Sequence, residues 1–325
     1  MSTIRIRAAA LAVSVLVSVP LATAAAEPVP KPFSAGIAGL TSVTTSDGVV
    51  LKANVAGKGM PALFVHGGPG AGSEVVERLA GKSMEQHFNM IWLDQRGSGR
   101  SAGDPKKNYT LDRVVQDLEE LRARLKIEKW VLMSHSFGGI IATAYAKGYP
   151  ERVSGMVLFN SILHLPAAME STATHGYALL PAGKPPMDPA APLPQRFGMV
   201  LGMLNQTGLS SKLMYTNDAT DAQVKATMKG LAANNEFTGT VFQSGAIGTY
   251  VEDWTPASAA LTMPVLVVTG KDDHMVGVEH YKSFRFPNQQ VVQVPGRHFS
   301  MVEHQQEVGE ALAGFAAKLR KQAAK

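Results

Sequence analysis

The short apolar run Val131–Met133 breaks into Ser134-His135-Ser136-Phe137-Gly138-Gly139, and an alanine-rich helical stretch, Ile140–Ala146, follows at once. A passage from strand to helix this abrupt constrains the fold more than any other feature of the chain. A serine on such a turn projects its hydroxyl from the edge of a sheet, and its neighbours must be small for the backbone to turn so tightly. Gly138, Gly139, Ala142 and Ala146 allow the helix to sit close on the strands. The start of that helix also favours negative charge developing beside Ser136. Ser134 stands where the usual Gly-x-Ser-x-Gly pattern has its first glycine, a small polar replacement.

Five further apolar runs read as strands buried on both faces: Ala62–Val65, Met90–Leu93, Met156–Phe159, Val265–Thr269 and Val291–Val294. Val43–Thr45 and Val49–Val55 flank Asp47-Gly48, a hairpin signal. Helical patterns lie between several of the runs. The clearest is Leu111–Leu125, with Leu111, Val114, Val115, Leu118, Leu121 and Leu125 on one face and Thr110 as N-cap. Strands alternating with helices predict an α/β fold, a mostly parallel sheet covered by helices on both faces. The rhythm fails from Ile162 to Leu261, a stretch rich in proline and then in methionine, with helical patterns and no strong strand. The expected organisation is a core over residues 27–161 and 262–325, with an inserted helical cap over residues 162–261.

Hydrophobic residues make up 45% of the 325 and charged residues 18%, which suits a packed chain and excludes a disordered one. The formal charge of +5 is spread thinly, so no nucleic-acid partner is expected. There is no cysteine, which excludes disulfides, thiolate nucleophiles and cysteine-based zinc sites. Arg5 and Arg7, an apolar stretch from Ala8 to Leu21, and Ala24 and Ala26 give residues 1–26 the form of a signal peptide. That segment predicts an exported protein, periplasmic or secreted. The stretch is short for a membrane span, so no stable membrane association is expected once it is cleaved.

A serine hydroxyl is a poor nucleophile at neutral pH, so a histidine must take its proton and a carboxylate must orient the histidine. In a doubly wound sheet such groups collect at the carboxyl ends of strands. Val265–Thr269 runs into Gly270-Lys271-Asp272-Asp273, and Val291–Val294 into Pro295-Gly296-Arg297-His298. The order serine, aspartate, histidine is the one this arrangement takes. His298 is the best placed of the nine histidines, and the Gly-x-x-Asp spacing favours Asp273 over Asp272. Two backbone N–H groups must also await the negative oxygen that forms. Phe137, just after the serine, is one candidate. Gly68, in the loop His66-Gly67-Gly68-Pro69-Gly70 after Ala62–Val65, is the other. His66 reads as a histidine that pins this loop. Asp94-Gln95-Arg96-Gly97-Ser98-Gly99-Arg100-Ser101 carries neither a P-loop nor a dinucleotide fingerprint and reads as a turn held by an Asp–Arg contact. No spaced cluster of histidines and carboxylates suggests a metal, and no cofactor is expected; His274, His280 and Asp273 come closest to a cluster.

With these pieces placed, residues 40–320 resemble the α/β-hydrolase superfamily. The His66–Gly70 loop together with Asp94–Ser101 looks like the proline iminopeptidase group within it. The resemblance implies a core sheet of about eight strands, a helical cap over the site, and Ser136, Asp273 and His298 as triad. It also implies removal of an N-terminal residue, often proline, from a short-peptide or other small-molecule substrate. An aminopeptidase must hold a cationic amine near its serine, which calls for carboxylates. Some members place one just after the triad aspartate, where this chain has His274. Among the acids of the cap, Glu236 is the best amine-binding candidate, although a solvated carboxylate fits it equally. The Met- and Pro-rich cap suits an apolar ester or lactone as well. A non-catalytic binding protein on the same framework would have no reason to keep serine, acid, histidine and glycine loop together.

Overall fold

The computed structural model describes residues 38–232, 234–243 and 247–324. The signal segment expected over residues 1–26 lies outside them. Eight strands form one sheet: β1 (Gly39–Thr44), β2 (Val50–Gly57), β3 (Met60–Val65), β4 (Phe88–Asp94), β5 (Trp130–His135), β6 (Val153–Phe159), β7 (Val265–Gly270) and β8 (Gln289–Val294). Their spatial order is β1-β2-β4-β3-β5-β6-β7-β8. Only β1–β2 and β2–β4 are antiparallel; every later pairing is parallel. The Asp47-Gly48 turn joins β1 to β2, with the Gly48 N–H donating to Thr45 O at 3.0 Å.

The inner strands are long apolar runs because both of their faces are covered. Leu63, Val65, Trp130 and Leu132 point into one core, while Ala62, Phe64, Val131 and Met133 point into the other. This is the two-residue alternation of a strand read out as two layers. The first core is covered by α2 (Leu111–Arg124) and α3 (Gly138–Gly148), the second by α1 (Glu74–Glu85) and the long carboxyl-terminal helix Gln305–Ala323. Thr110 caps α2, its hydroxyl accepting from Arg113 N at 3.4 Å, and Leu111, Val114, Leu118 and Leu121 are buried as the spacing predicts.

Between β6 and β7 lie α4 (Leu165–Leu179), α5 (Leu193–Gln206), α6 (Ser211–Met214), α7 (Asp218–Met228) and α8 (Glu236–Gln243), with no strand among the described residues. After β8 come the short α9 (Ser300–Glu303) and then α10, the long carboxyl-terminal helix. The insertion is closed at its neck, where Trp254 N donates to Leu163 O at 2.8 Å. It holds a small apolar cluster of its own, Leu180, Val200, Leu204 and Leu213, fringed by partly buried methionines. No helix among the described residues is long and apolar enough to cross a membrane.

Strand order reverses between β3 and β5, since the chain moves from β3 outward to β4 on one side and returns to β5 on the other. Loops leaving the carboxyl ends of strands at such a point diverge and leave a crevice. The serine turn and the glycine loop flank it.

Candidate active site

Ser136 sits between β5 and α3 with φ +53°, in the left-handed region that a non-glycine residue rarely adopts. Its N–H donates to Asn160 O at 3.2 Å, and its carbonyl accepts from Gly139 N at 2.9 Å and Ile162 N at 2.8 Å, so the turn is held from both sides. Gly138 is required here by contact: a Cβ on it would lie 2.2 Å from Val65 O. The same holds for Gly67, where a Cβ would meet Ser136 Cβ at 2.7 Å. The glycine loop therefore lies directly against the serine.

Three distant stretches meet at this point. His298 Nε2 is 2.9 Å from Ser136 Oγ, and His298 Nδ1 is 3.0 Å from Asp273 Oδ2. A carboxylate only accepts, so Nδ1 carries the proton and Nε2 is left to receive one from the serine. Asp273 Oδ1 accepts from Met275 N at 2.9 Å. Ser136 is 7% exposed, His298 3% and Asp273 0%, so the relay is shielded from bulk water. Burial works against the Asp273 charge, but the facing His298 and the Asn160 amide outweigh it and hold the carboxyl below its ordinary range. Asp272, the rival acid, is exposed.

Of the two oxyanion candidates, neither the Phe137 N–H nor the Gly68 N–H donates to a protein acceptor among the described residues. Phe137 is the N-cap of α3, and Gly68 lies in the loop packed on Ser136. His66 pins that loop. Its Nε2 accepts from Gln95 N at 3.0 Å, its Nδ1 donates to Gly67 O at 3.0 Å, and Gln95 Nε2 returns a bond to His66 O at 2.9 Å. Burial pushes its pKa down, which suits a neutral ring with one donor and one acceptor. The Asp94–Ser101 turn is held as expected by an Asp–Arg contact, Arg100 Nε to Asp94 Oδ2 at 2.7 Å.

The structure gives Glu236 partners that the sequence does not suggest. Oε1 accepts from Tyr109 OH and from Asp104 N at 2.9 Å, and Oε2 is 2.6 Å from Lys107 Nζ. The next residue, Phe237, donates its N–H to Gly97 O at 3.0 Å and stacks on Tyr109 with ring centres 5.3 Å apart. Thr238 donates to Pro69 O of the glycine loop. Both Glu236 oxygens are thus engaged in fastening the insertion to the core. His274 stacks face to face on His175 of α4, with ring centres 3.5 Å apart. His280 accepts from Leu163 N at 3.0 Å, and among the described residues no group of three or more histidines and carboxylates gathers to hold a metal.

Two neighbours of the triad carry no signal in the motif. His135 Nε2 donates to His298 O at 3.0 Å, and its ring lies 4.7 Å from the His298 ring. Burial, then the nearby His298, pushes the His135 pKa down to about 3, so it stays neutral. Asn160 reaches Asp273 from the end of β6. The strand-end rule that points to Asp273 and His298 applies equally to Asn160 and is the sequence signal it carries.

The family model for the alpha/beta hydrolase fold matches residues 61–305. A proline iminopeptidase of Neisseria meningitidis serogroup A is 40% identical over 111 residues, 34% of this chain and 35% of that protein. The matched segment thus spans about a third of the length of such curated relatives. Among solved structures, a proline iminopeptidase-related protein from Thermus thermophilus superposes with a TM-score of 0.69 at 23% identity, covering 87% of this chain and 98% of that one. A thermophilic esterase from Thermogutta terrifontis gives 0.64 at 23% identity, covering 87% and 100%. At such identities the two structures speak for the fold alone. With the family match running through three quarters of its length and the strand order to accompany it, this chain belongs to the alpha/beta hydrolase fold family.

Proposed function

We propose that the protein is a serine hydrolase that cleaves a small amide or ester through an acyl-enzyme. Ser136 Oγ attacks the carbonyl carbon as His298 Nε2 takes its proton. Asp273 holds the ring and stabilises the imidazolium that forms. The Phe137 and Gly68 N–H groups receive the negative oxygen. His298 then gives its proton to the leaving amine or alcohol, and a water deacylates Ser136 by the same route. The single observation carrying this reading is the unbroken line from Ser136 Oγ through His298 to Asp273, with gaps of 2.9 and 3.0 Å.

For the substrate, the similarity to proline iminopeptidases supports release of an N-terminal residue from a short peptide as the first reading. A carboxylesterase or lactonase acting on an apolar acyl group is the second. It is favoured by the engagement of Glu236 with Tyr109, Asp104 and Lys107, which leaves that carboxylate occupied before any ammonium arrives. Incubation with a fluorophosphonate should label Ser136, and Ser136→Ala should lower kcat by about 10⁴-fold or more. An unlabelled folded protein that turns over neither a proline arylamide nor a short aryl ester would remove the hydrolase reading. If the parent is active, the ratio of its rates on those two probes decides between amide and ester.

A further inference from the structure

Asn160 follows β6, the strand between the serine strand and the acid strand, and it bonds Ser136, Asp273 and the residue before His298. Its backbone N–H donates to Val268 O at 2.9 Å in β7, and its carbonyl accepts from Ser136 N at 3.2 Å. Its side chain turns to the acid: Nδ2 is 2.5 Å from Asp273 Oδ2, the same oxygen that receives His298 Nδ1–H. Nδ2 also lies 3.3 Å from Arg297 O, just before the histidine. An amide can present either its oxygen or its nitrogen to a neighbour; here the Asp273 carboxylate and the Arg297 carbonyl only accept, so Nδ2 faces them and Oδ1 is left to accept from Ser300 Oγ at 2.7 Å. Ser300 thus holds the far end of the amide and steadies its donors on the carboxylate. Asn160 is 2% exposed and Ser300 0%, so water cannot replace either bond.

We propose that Asn160 is a positioning residue of the relay, clamped by Ser300, that aims Asp273 Oδ2 at His298 and tempers the pull of the carboxylate on the histidine's proton. This rests on the serine-hydrolase reading above. The asparagine also has a simpler use, since its φ of +44° suits asparagine and glycine better than other residues. The two roles predict different outcomes. The titratable groups facing Asp273 are His298 and, more distantly, His135 and His280, both neutral across the working range. Once the amide donor is removed, the carboxylate loses a neutralising partner and draws harder on the proton of His298. The imidazolium then persists to higher pH, and the acid limb of kcat/KM, which reports loss of the neutral base, moves upward.

The test is the pH profile of kcat/KM on a short aryl ester, with thermal melts and fluorophosphonate labelling alongside. Asn160→Gly keeps the backbone conformation free of strain and deletes only the amide. It should melt near the parent, lower kcat/KM at neutral pH about ten- to a hundred-fold, the size of one hydrogen bond to a charged group, and shift the acid limb upward. Ser300→Ala leaves the asparagine in place but frees its amide, and should shift the limb in the same direction with a loss of a few-fold. If both variants melt like the parent and keep its acid limb and labelling rate, Asn160 serves the turn alone and the inference is overturned. Should Asn160→Gly fail to fold, Ser300→Ala decides by itself. A parent that neither labels at Ser136 nor turns over ester would instead strike the hydrolase reading, and the inference with it.

Discussion

The core loops and the insertion use charge in opposite ways. In the core, Arg96 is fully buried and meets Asp117 at 2.5 Å, Asp104 at 3.1 Å and Asp47 at 3.0 Å, tying the β4 loop to the first hairpin and to α2. Within the insertion, Lys212–Asp218 and Lys225–Asp221 are local pairs with at least one partner well exposed, and Arg196–Glu170 joins two of its helices with Glu170 half exposed. The insertion reaches the loops of the candidate site by another device, hydrogen bonds in which a main-chain carbonyl of one side accepts from the other. Thr238 bonds Pro69 O, Ser171 bonds His274 O at 2.9 Å, and Phe299 N and Arg297 bond Met214 O and Tyr215 O at 3.1 and 2.8 Å. The β4 loop, whose Gln95 bonds His66 of the glycine loop, is thus held by a buried, many-partnered cation. The insertion grips its neighbouring loops partly through its own carbonyls, at Met214 and Tyr215, and partly through the Thr238 and Ser171 hydroxyls, so few of its side chains are committed to the contact.

The strongest test of that contrast is Arg96→Met. It leaves buried carboxylates without their cation, a loss of about 3–5 kcal/mol, and a melt by circular dichroism should fall by roughly 10 °C. Arg196→Met in the insertion should leave the melt where it was. Equal shifts for the two variants would erase the difference between the regions.

Acid sensitivity should also originate in the core. His135 is neutral in the folded protein down to about pH 3, whereas the unfolded chain takes up its proton near the ordinary value of 6.5. Between those limits the unfolded state binds more protons, so stability is whole above pH 6.5 and drains away as pH falls toward 3, by a few kcal/mol at about 1.4 per unit. His66 and His280 are lowered in the same direction and add to the slope. Urea unfolding at several pH values should give a shallower slope for His135→Phe than for the parent. An identical slope would mean that the contact of His135 with His298 is not the acid-labile element.

These features differ in how far the sequence discloses them. Strands, the α2 cap and the loops carrying Ser136, Asp273 and His298 follow local rules: alternation, an N-cap three residues before the N–H it accepts from, small residues at a tight turn. Each is written within a dozen residues, and the strand-end rule carries three of them to one edge of the sheet. Glu236 obeys no such rule. Its partners Tyr109 and Asp104 lie 127 and 132 positions away, and whether a carboxylate of the insertion meets an amine, a lysine or water depends on how α8 docks. Asn160 is intermediate. It stands at a strand end, yet an asparagine there reads first as a turn residue, and its hold on Asp273 arises only because β6 and β7 lie side by side.

Glu236 yields the smallest effect and the sharpest division between the regions. As a clasp, it fixes the segment in which Thr238 bonds Pro69 O of the glycine loop and Phe237 packs edge-on against Phe137. Glu236→Ala should then cost about 1 kcal/mol of stability, as for a partly exposed carboxylate with a few bonds. It should lower kcat a few-fold, in equal proportion on a proline arylamide and a short aryl ester, because a displaced Gly68 N–H serves both transition states alike. As an amine site, it would act on binding: KM for the arylamide would rise alone, with ester turnover unchanged, since only the arylamide brings a cation. Steady-state kinetics on the two probes separate these outcomes without any assumption about the natural substrate. A rise confined to the arylamide KM would return Glu236 to the substrate, make the insertion a reader of charge, and move the amide reading ahead of the ester one.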